Sequence, residues 1–264
     1  MSTKRKASGA YTPAKKARGN TGATSKHHRC WATEESAMLG YHDNVWGRPE
    51  TDTARLFESM VLQLMQCGMN WRTVYNKREH FRTAFANYDL SSVAAFDAKK
   101  IQQLMDMPTG TIIRNRSKID AVVNNARLIV AMDAAAAAAD GGDGSPTFAE
   151  FLWQHCPAND RERLKVKKSE SGNHMRSNFK DADYASLVDA DGVHPTKTVV
   201  ALSKALKARG FKYMGPTTTL SLMQAVGLVN HHGNTCFVFK RNEAELKALR
   251  AKKKKMTAKM MKKR

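Results

Sequence analysis

Asp52-Thr53-Ala54-Arg55-Leu56-Phe57-Glu58-Ser59-Met60-Val61-Leu62-Gln63-Leu64-Met65-Gln66 is the stretch that decides the fold class. Leu56, Phe57, Met60, Val61, Leu64 and Met65 recur at steps of three and four, which gathers them on one broad stripe of an α-helix. A half-buried strand would instead alternate polar and apolar residues. Outward from this stretch the same period returns at 97–106 and at 115–132, where Ile119, Val122, Val123, Ala126, Ile129 and Val130 form the stripe. Ala134 to Ala139 continues that helix toward a Gly-Gly-Asp-Gly-Ser-Pro loop. Two more helices are expected at Ala201–Arg209, stopped by Gly210, and at Pro216–Val226, with a short turn between them. No convincing run of alternating strands interrupts the series, so the core is expected to be all-α.

The chain has 264 residues, enough for one large domain or two small ones, and is 42% hydrophobic, which excludes disorder throughout. No apolar run approaches the roughly 18 residues of a membrane span, and no secretory signal is expected at the N-terminus. Four cysteines without a secretory context point to a reducing compartment rather than a disulfide scaffold. Lys and Arg number 44 against 24 Asp and Glu, a net charge of +20, and that excess is concentrated at the ends. Residues 1–28 carry seven basic side chains and residues 247–264 carry ten, with no acid in either, so residues 29–246 are left with a net charge of +3. The expected organisation is a disordered basic tail at 1–28, a helical domain at 29–240 with a polar surface excursion at about 156–196, and a basic C-terminal tail at 241–264, which can extend a helix from Glu243. Such tails suit nucleic-acid contact or nuclear localisation; solubilising tails with no specific partner are the plainer reading.

Three of the four tryptophans fall between residues 30 and 71, in company with Cys30, Tyr41 and His42. A cluster this aromatic reads equally as core. Its companion lies near the other end, in Asn230-His231-His232-Gly233-Asn234-Thr235-Cys236. Thiolate and imidazole are the ligands zinc prefers, and two of each complete a closed tetrahedral site. The His232–Cys236 spacing is ordinary for zinc, whereas Cys30 and His42 are not spaced as in a standard finger. On spacing alone one buried cysteine and several surface histidines fit as well. His231 competes with His232, and His27 and His28 lie close to Cys30.

Tyr41-His42-Asp43-Asn44-Val45-Trp46-Gly47-Arg48-Pro49-Glu50 resembles the YHDxEWG-P segment of type I DNA-3-methyladenine glycosylases, with Val45 where that pattern has Glu. The resemblance continues through Leu56-Phe57-Glu58, Gly68-Met69-Asn70-Trp71, Ile113-Arg114-Asn115-Arg116 and Lys118-Ile119. It resumes at Leu202 to Lys207, Arg209 to Lys212, Met223-Gln224-Ala225 and Gly227 to Asn230. These motifs run in family order across roughly residues 29–238. The family is a compact helical member of the helix-hairpin-helix DNA glycosylases, so the resemblance implies that architecture, with a zinc site joining the N- and C-terminal parts. The implied ligands are Cys30, His42, His232 and Cys236, which selects His232 over His231 and makes the zinc structural.

The resemblance also implies the activity: excision of 3-methyladenine from alkylated double-stranded DNA after the base is flipped out, by hydrolysis and with no lyase step. Tyr41 and Trp71 become the stacking walls of the base pocket, with Trp31 and Trp46 closing it. For Trp31 and Trp46, plain core packing is the rival reading. Met69 takes the position of an apolar wedge for the gap left by the flipped base, with ordinary core packing again the rival. The family discriminates its lesion through a Glu in the helix before the Gly-x-x-Trp turn, and here that catalytic position is Gln63. A glutamine can still hydrogen-bond adenine's edge, but it lacks the carboxylate's charge. Hence the alternative is a non-catalytic or altered-specificity lesion- or DNA-binding homologue, while a basic RNA-binding protein would account for the tails but not for the aromatic cluster. The hairpin is expected at Asp106–Thr111, with Arg114, Arg116 and Lys118 as phosphate contacts and the basic turn Lys207–Lys212 on the same face; each cation reads otherwise as a solvated helix end. A monomer away from membranes is expected, in the nucleus, with the mitochondrion as the other organelle.

Overall fold

The computed structural model describes residues 28–31, 36–138, 145–156, 197–233 and 235–261. Among these residues the chain forms eleven α-helices and one short 3-10 turn, with no strand. Helix α1 spans Ser36–Asn44, α2 Thr53–Gln66, α3 Trp71–Asn76, α4 Arg78–Ala84, α5 Leu90–Ala94, α6 Ala98–Met105, α7 Arg116–Ala138 and α8 Phe148–Gln154. The last three are α9, Lys197–Ala208; α10, Pro216–Ala225; and α11, Phe239–Met261. The all-α expectation therefore holds, and the stretch at 52–66 is α2.

Helix α2 is the central rod. Asp52 caps it by accepting a hydrogen bond from the backbone N–H of Arg55 at 3.0 Å. Its apolar stripe Leu56, Phe57, Met60, Leu64 and Met65 is wholly removed from solvent. Helices α3, α7, α8 and α10 pack around it, and α7 in turn receives α5 and α6. By length and composition α7 would be apolar enough to cross a membrane. Its Ile119, Val122, Val123, Ala126 and Ile129 are instead buried in the core cluster.

Two boundaries differ from expectation. Helix α11 begins at Phe239 and runs straight through residue 241, with Asn242 and Leu246 buried, so its first turns belong to the core rather than to a tail. Helix α9 begins at Lys197, four residues ahead of the apolar pattern. The excursion at 157–196 and the tail at 1–27 lie outside the described residues.

One backbone approach fixes how the ends of the domain meet. The segment after α1 docks on the end of α10, with Gly47 donating to the Ala225 carbonyl at 3.2 Å and Glu50 to that of Val226 at 3.0 Å. Gly227 sits at φ +70°, and a Cβ there would lie 2.4 Å from the Arg48 carbonyl carbon. Only glycine allows that contact.

Candidate functional site

Cys30 comes from the segment before α1, His42 from α1 itself, and His232 and Cys236 from the loop between α10 and α11. All four are buried, and their ligand atoms lie within 4.8 Å of one another. Cys30 Sγ is 3.6 Å from His42 Nε2 and 3.5 Å from His232 Nδ1. Cys236 Sγ is 3.5 Å and 3.6 Å from the same two nitrogens. A tetrahedral ion with arms of about 2.3 Å to sulfur and about 2.0–2.1 Å to nitrogen has sulfur–nitrogen edges of about 3.5–3.6 Å. The four residues fit such an ion.

The surroundings turn both imidazoles the right way. His42 Nδ1 donates to Asp43 Oδ1 at 2.8 Å, and His232 Nε2 donates to the Trp46 carbonyl at 2.9 Å. Each ring is thereby left with a lone pair facing the thiols. Asp43 is itself held by a two-bond grip from Arg29 at 2.9 and 2.7 Å. Burial works to raise the Asp43 pKa, but the bonds from Arg29 and His42 outweigh it and hold the carboxyl below its ordinary value. The Cys236 thiol is pushed down, chiefly by its bond with Cys30, then by His232 and His42. The same bond, followed by burial, pushes Cys30 up. His231 is occupied elsewhere, with the Gln224 amide donating to its Nδ1 at 2.6 Å. His28 lends only its backbone carbonyl, to Phe237 N at 3.1 Å; His27 lies outside the described residues.

Beside this cluster lies a continuous set of rings. Tyr41 is 5.2 Å from Trp71 and 6.0 Å from Trp31, centroid to centroid. Trp31 stands edge-on to Trp46 at 5.1 Å, and Trp46 edge-on to His232 at 4.5 Å. All four side chains are buried. Trp46 therefore packs on the Cys/His side, whereas Tyr41 and Trp71 face each other across α1 and α3. Sequence reading missed Tyr75, whose ring lies 4.5 Å from Tyr41 and 5.6 Å from Trp71. Its position four residues after Trp71, one turn along α3, was the available signal.

Polar groups in this set are left uncommitted. The indole N–H groups of Trp31 and Trp71 are buried with no hydrogen-bond partner among the described residues. Gln63 is 5% exposed, and no side-chain hydrogen bond joins it to another described residue. Glu58 does not stand in for a pocket carboxylate. It is paired with Arg82 at 2.5 Å, and burial raises its pKa. Met69, in the turn between α2 and α3, is 38% exposed, so it is not ordinary core.

The expected phosphate contacts separate. The loop between α6 and α7 turns at Gly110, φ +94°, and Arg114 braces it by donating to the Met107 carbonyl at 3.2 Å and to Thr109 Oγ1 at 3.0 Å. Arg116 is half-exposed and paired with Asp120 at 3.0 Å. Lys118 corrects the expectation: it is buried, not surface-facing. Its ammonium donates to the carbonyls of Met65 at 2.9 Å and Cys67 at 2.7 Å, and burial lowers its pKa.

The described residues thus form a helical domain whose ends meet in a Cys2His2 cluster, beside a set of buried rings with two unpartnered indole N–H groups. The methyladenine glycosylase family matches residues 31–239, and the chain belongs to that family. It is 35% identical over 218 residues to DNA-3-methyladenine glycosylase 1 of Escherichia coli strain K12, covering 81% of this chain and 98% of that one. It is 36% identical over 211 residues to the DNA-3-methyladenine glycosylase of Haemophilus influenzae, covering 79% and 96%. Among solved structures it resembles 3-methyladenine DNA glycosylase I of Staphylococcus aureus, studied for its recognition of 3-methyladenine. There the TM-score is 0.58 and the identity 29%, covering 78% of this chain and 93% of that one.

Proposed function

We propose that this chain hydrolyses the N-glycosidic bond of 3-methyladenine in alkylated double-stranded DNA, as a monofunctional glycosylase of base-excision repair. The carrying observation is the ring set Tyr41–Trp71–Tyr75 with the unpartnered Trp71 N–H beside it. A flipped purine needs flat apolar walls and a few directed polar atoms. Family membership favours this enzyme over the non-catalytic alternative.

The chemistry asks little of the protein. Methylation at N3 leaves the base cationic, so the bond from N9 to the sugar C1′ breaks with its electron pair going to the base. Water adds to the oxocarbenium-like C1′ and loses its proton to solvent, leaving an abasic site and free 3-methyladenine. Tyr41 and Trp71 stack the base and attract its charge. The Gln63 amide bonds the purine edge, with Trp31, backed by Trp46, closing the site and Met69 filling the vacated gap in the stack. The unit α6–loop–α7 serves as the helix-hairpin-helix, whose backbone amides with Arg114 and Arg116 grip phosphates without reading sequence.

Zinc is the metal that suits Cys30, His42, His232 and Cys236. It would supply a structural cross-link, because all four positions are taken by protein. The acting protein is a monomer, and the basic tails support residence in the nucleus. The reading is tested by titrating free 3-methyladenine against tryptophan fluorescence. Saturable quenching in the wild type that is lost in Trp71→Ala is expected; no quenching in the wild type contradicts it.

A further inference from the structure

Lys118 is the only Lys, Arg, Asp or Glu among the buried described residues. A buried charge ordinarily needs a counter-charge, and its hydrogen bonds go instead to two backbone carbonyls, Met65 and Cys67. Its place in the chain is also unfavourable, because it lies in the first turn of α7, where the helix dipole disfavours a cation. The compensation lies across the interface. Helix α2 ends at Gln66, so its last carbonyls have no intrahelical donor, and a cation there meets the negative end of that helix.

The turn so fixed is not an arbitrary one. Immediately after Cys67 come Gly68 at φ +72°, the exposed Met69, and Asn70, which caps α3 by accepting from Arg72 N at 2.8 Å. Trp71 opens that helix. A second tie crosses in the opposite direction, from the Lys77 ammonium at the end of α3 to the Gly110 carbonyl in the α6–α7 loop. Two lysines therefore join the pocket elements α2 and α3 to the hairpin elements α6 and α7.

We propose that Lys118 is a positioning residue that holds the Gly68–Trp71 turn in register with the α6–α7 hairpin, so that seating a duplex on the hairpin brings wedge and base walls to the same nucleotide. The inference rests on the glycosylase reading above. It separates from a plain stability role by substrate: register between hairpin and turn matters for a base that must leave a duplex, and not for one already free.

The test compares wild type, Lys118→Met, which keeps the stem and removes the charge, and Lys77→Met, which removes the exposed tie. Single-turnover excision of 3-methyladenine from duplex DNA is measured beside the affinity for free 3-methyladenine. The expected result for Lys118→Met is a loss of at least about tenfold on duplex, with free-base affinity within about twofold of wild type. Lys77→Met is expected to fall in between, and it carries the test if Lys118→Met does not fold. Equal losses on duplex and free base, or no duplex loss in either variant, overturn the proposal. A wild type that releases no base overturns the glycosylase reading instead.

Discussion

Gln63 is the pocket residue proposed to meet the purine edge; it is 5% exposed, and no side-chain hydrogen bond joins it to another described residue. It can bond the purine edge but cannot neutralise the cation. A hydrogen bond to a charged group contributes about 1.5–3 kcal/mol. Gln63→Glu is therefore expected to raise single-turnover excision about 10- to 100-fold, and Gln63→Leu to lower it; a rate unchanged in both would remove Gln63 from the site. Gly227 offers a test of the fold at the same scale. Gly227→Ala drives a Cβ into the Arg48 backbone, so its midpoint in urea should fall well below that of wild type, with no structural relief open to it. The family motifs were legible in the sequence because each keeps its place in an ordered series, which the family match at 31–239 covers. Lys118 was not. After Arg114 and Arg116 it reads as one more surface cation, and what buries it is a pair of helix-end carbonyls more than fifty positions away.

Among the elements, α2, α6, α7, α9 and α10 were legible in their apolar period, α11 only as a helical extension of the tail, and α1 and the short helices were not. Helices α3, α4, α5 and α8 have five to seven residues each, too few for an apolar period to declare itself. Their signals are caps: Asn70 for α3, Asp89 for α5, and a full capping box of Thr147 and Glu150 for α8. Asp89 makes the point measurable. It accepts from Ser92 N at 2.8 Å, and its bonds to Ser92 hold its pKa below the ordinary value. A carboxyl whose folded pKa is depressed contributes stability that is present above its unfolded pKa and lost as pH falls through the folded value. Asp89→Ala should therefore cost about 1 kcal/mol near neutral pH, and the gap between variant and wild type should narrow below about pH 4. Urea melts at two pH values check it, and a gap independent of pH would assign the effect to packing.

At the scale of the whole molecule, the excess charge and the Cys2His2 cluster belong to different parts. Seventeen of the twenty excess positive charges belong to residues 1–28 and 247–264, while the body that carries the site is nearly neutral. Deleting residues 1–28 and 252–264 should flatten the salt dependence of DNA binding and leave free-base affinity unchanged; a full salt slope in the shortened chain would mean that the tails add nothing to the grip of the α6–α7 hairpin. The Cys2His2 cluster joins residues as far apart in sequence as Cys30 and Cys236. The purified protein should carry close to one equivalent of zinc, and stripping it should lower the Tm. Less than about half an equivalent would count against the site. The central claim is tested most directly by incubating the protein with methylated duplex DNA and identifying the base released. The account predicts free 3-methyladenine with the DNA strand left uncut, and no release by Trp71→Ala. Wild-type protein that binds the damaged duplex yet releases no base, with release appearing in Gln63→Glu, would contradict it.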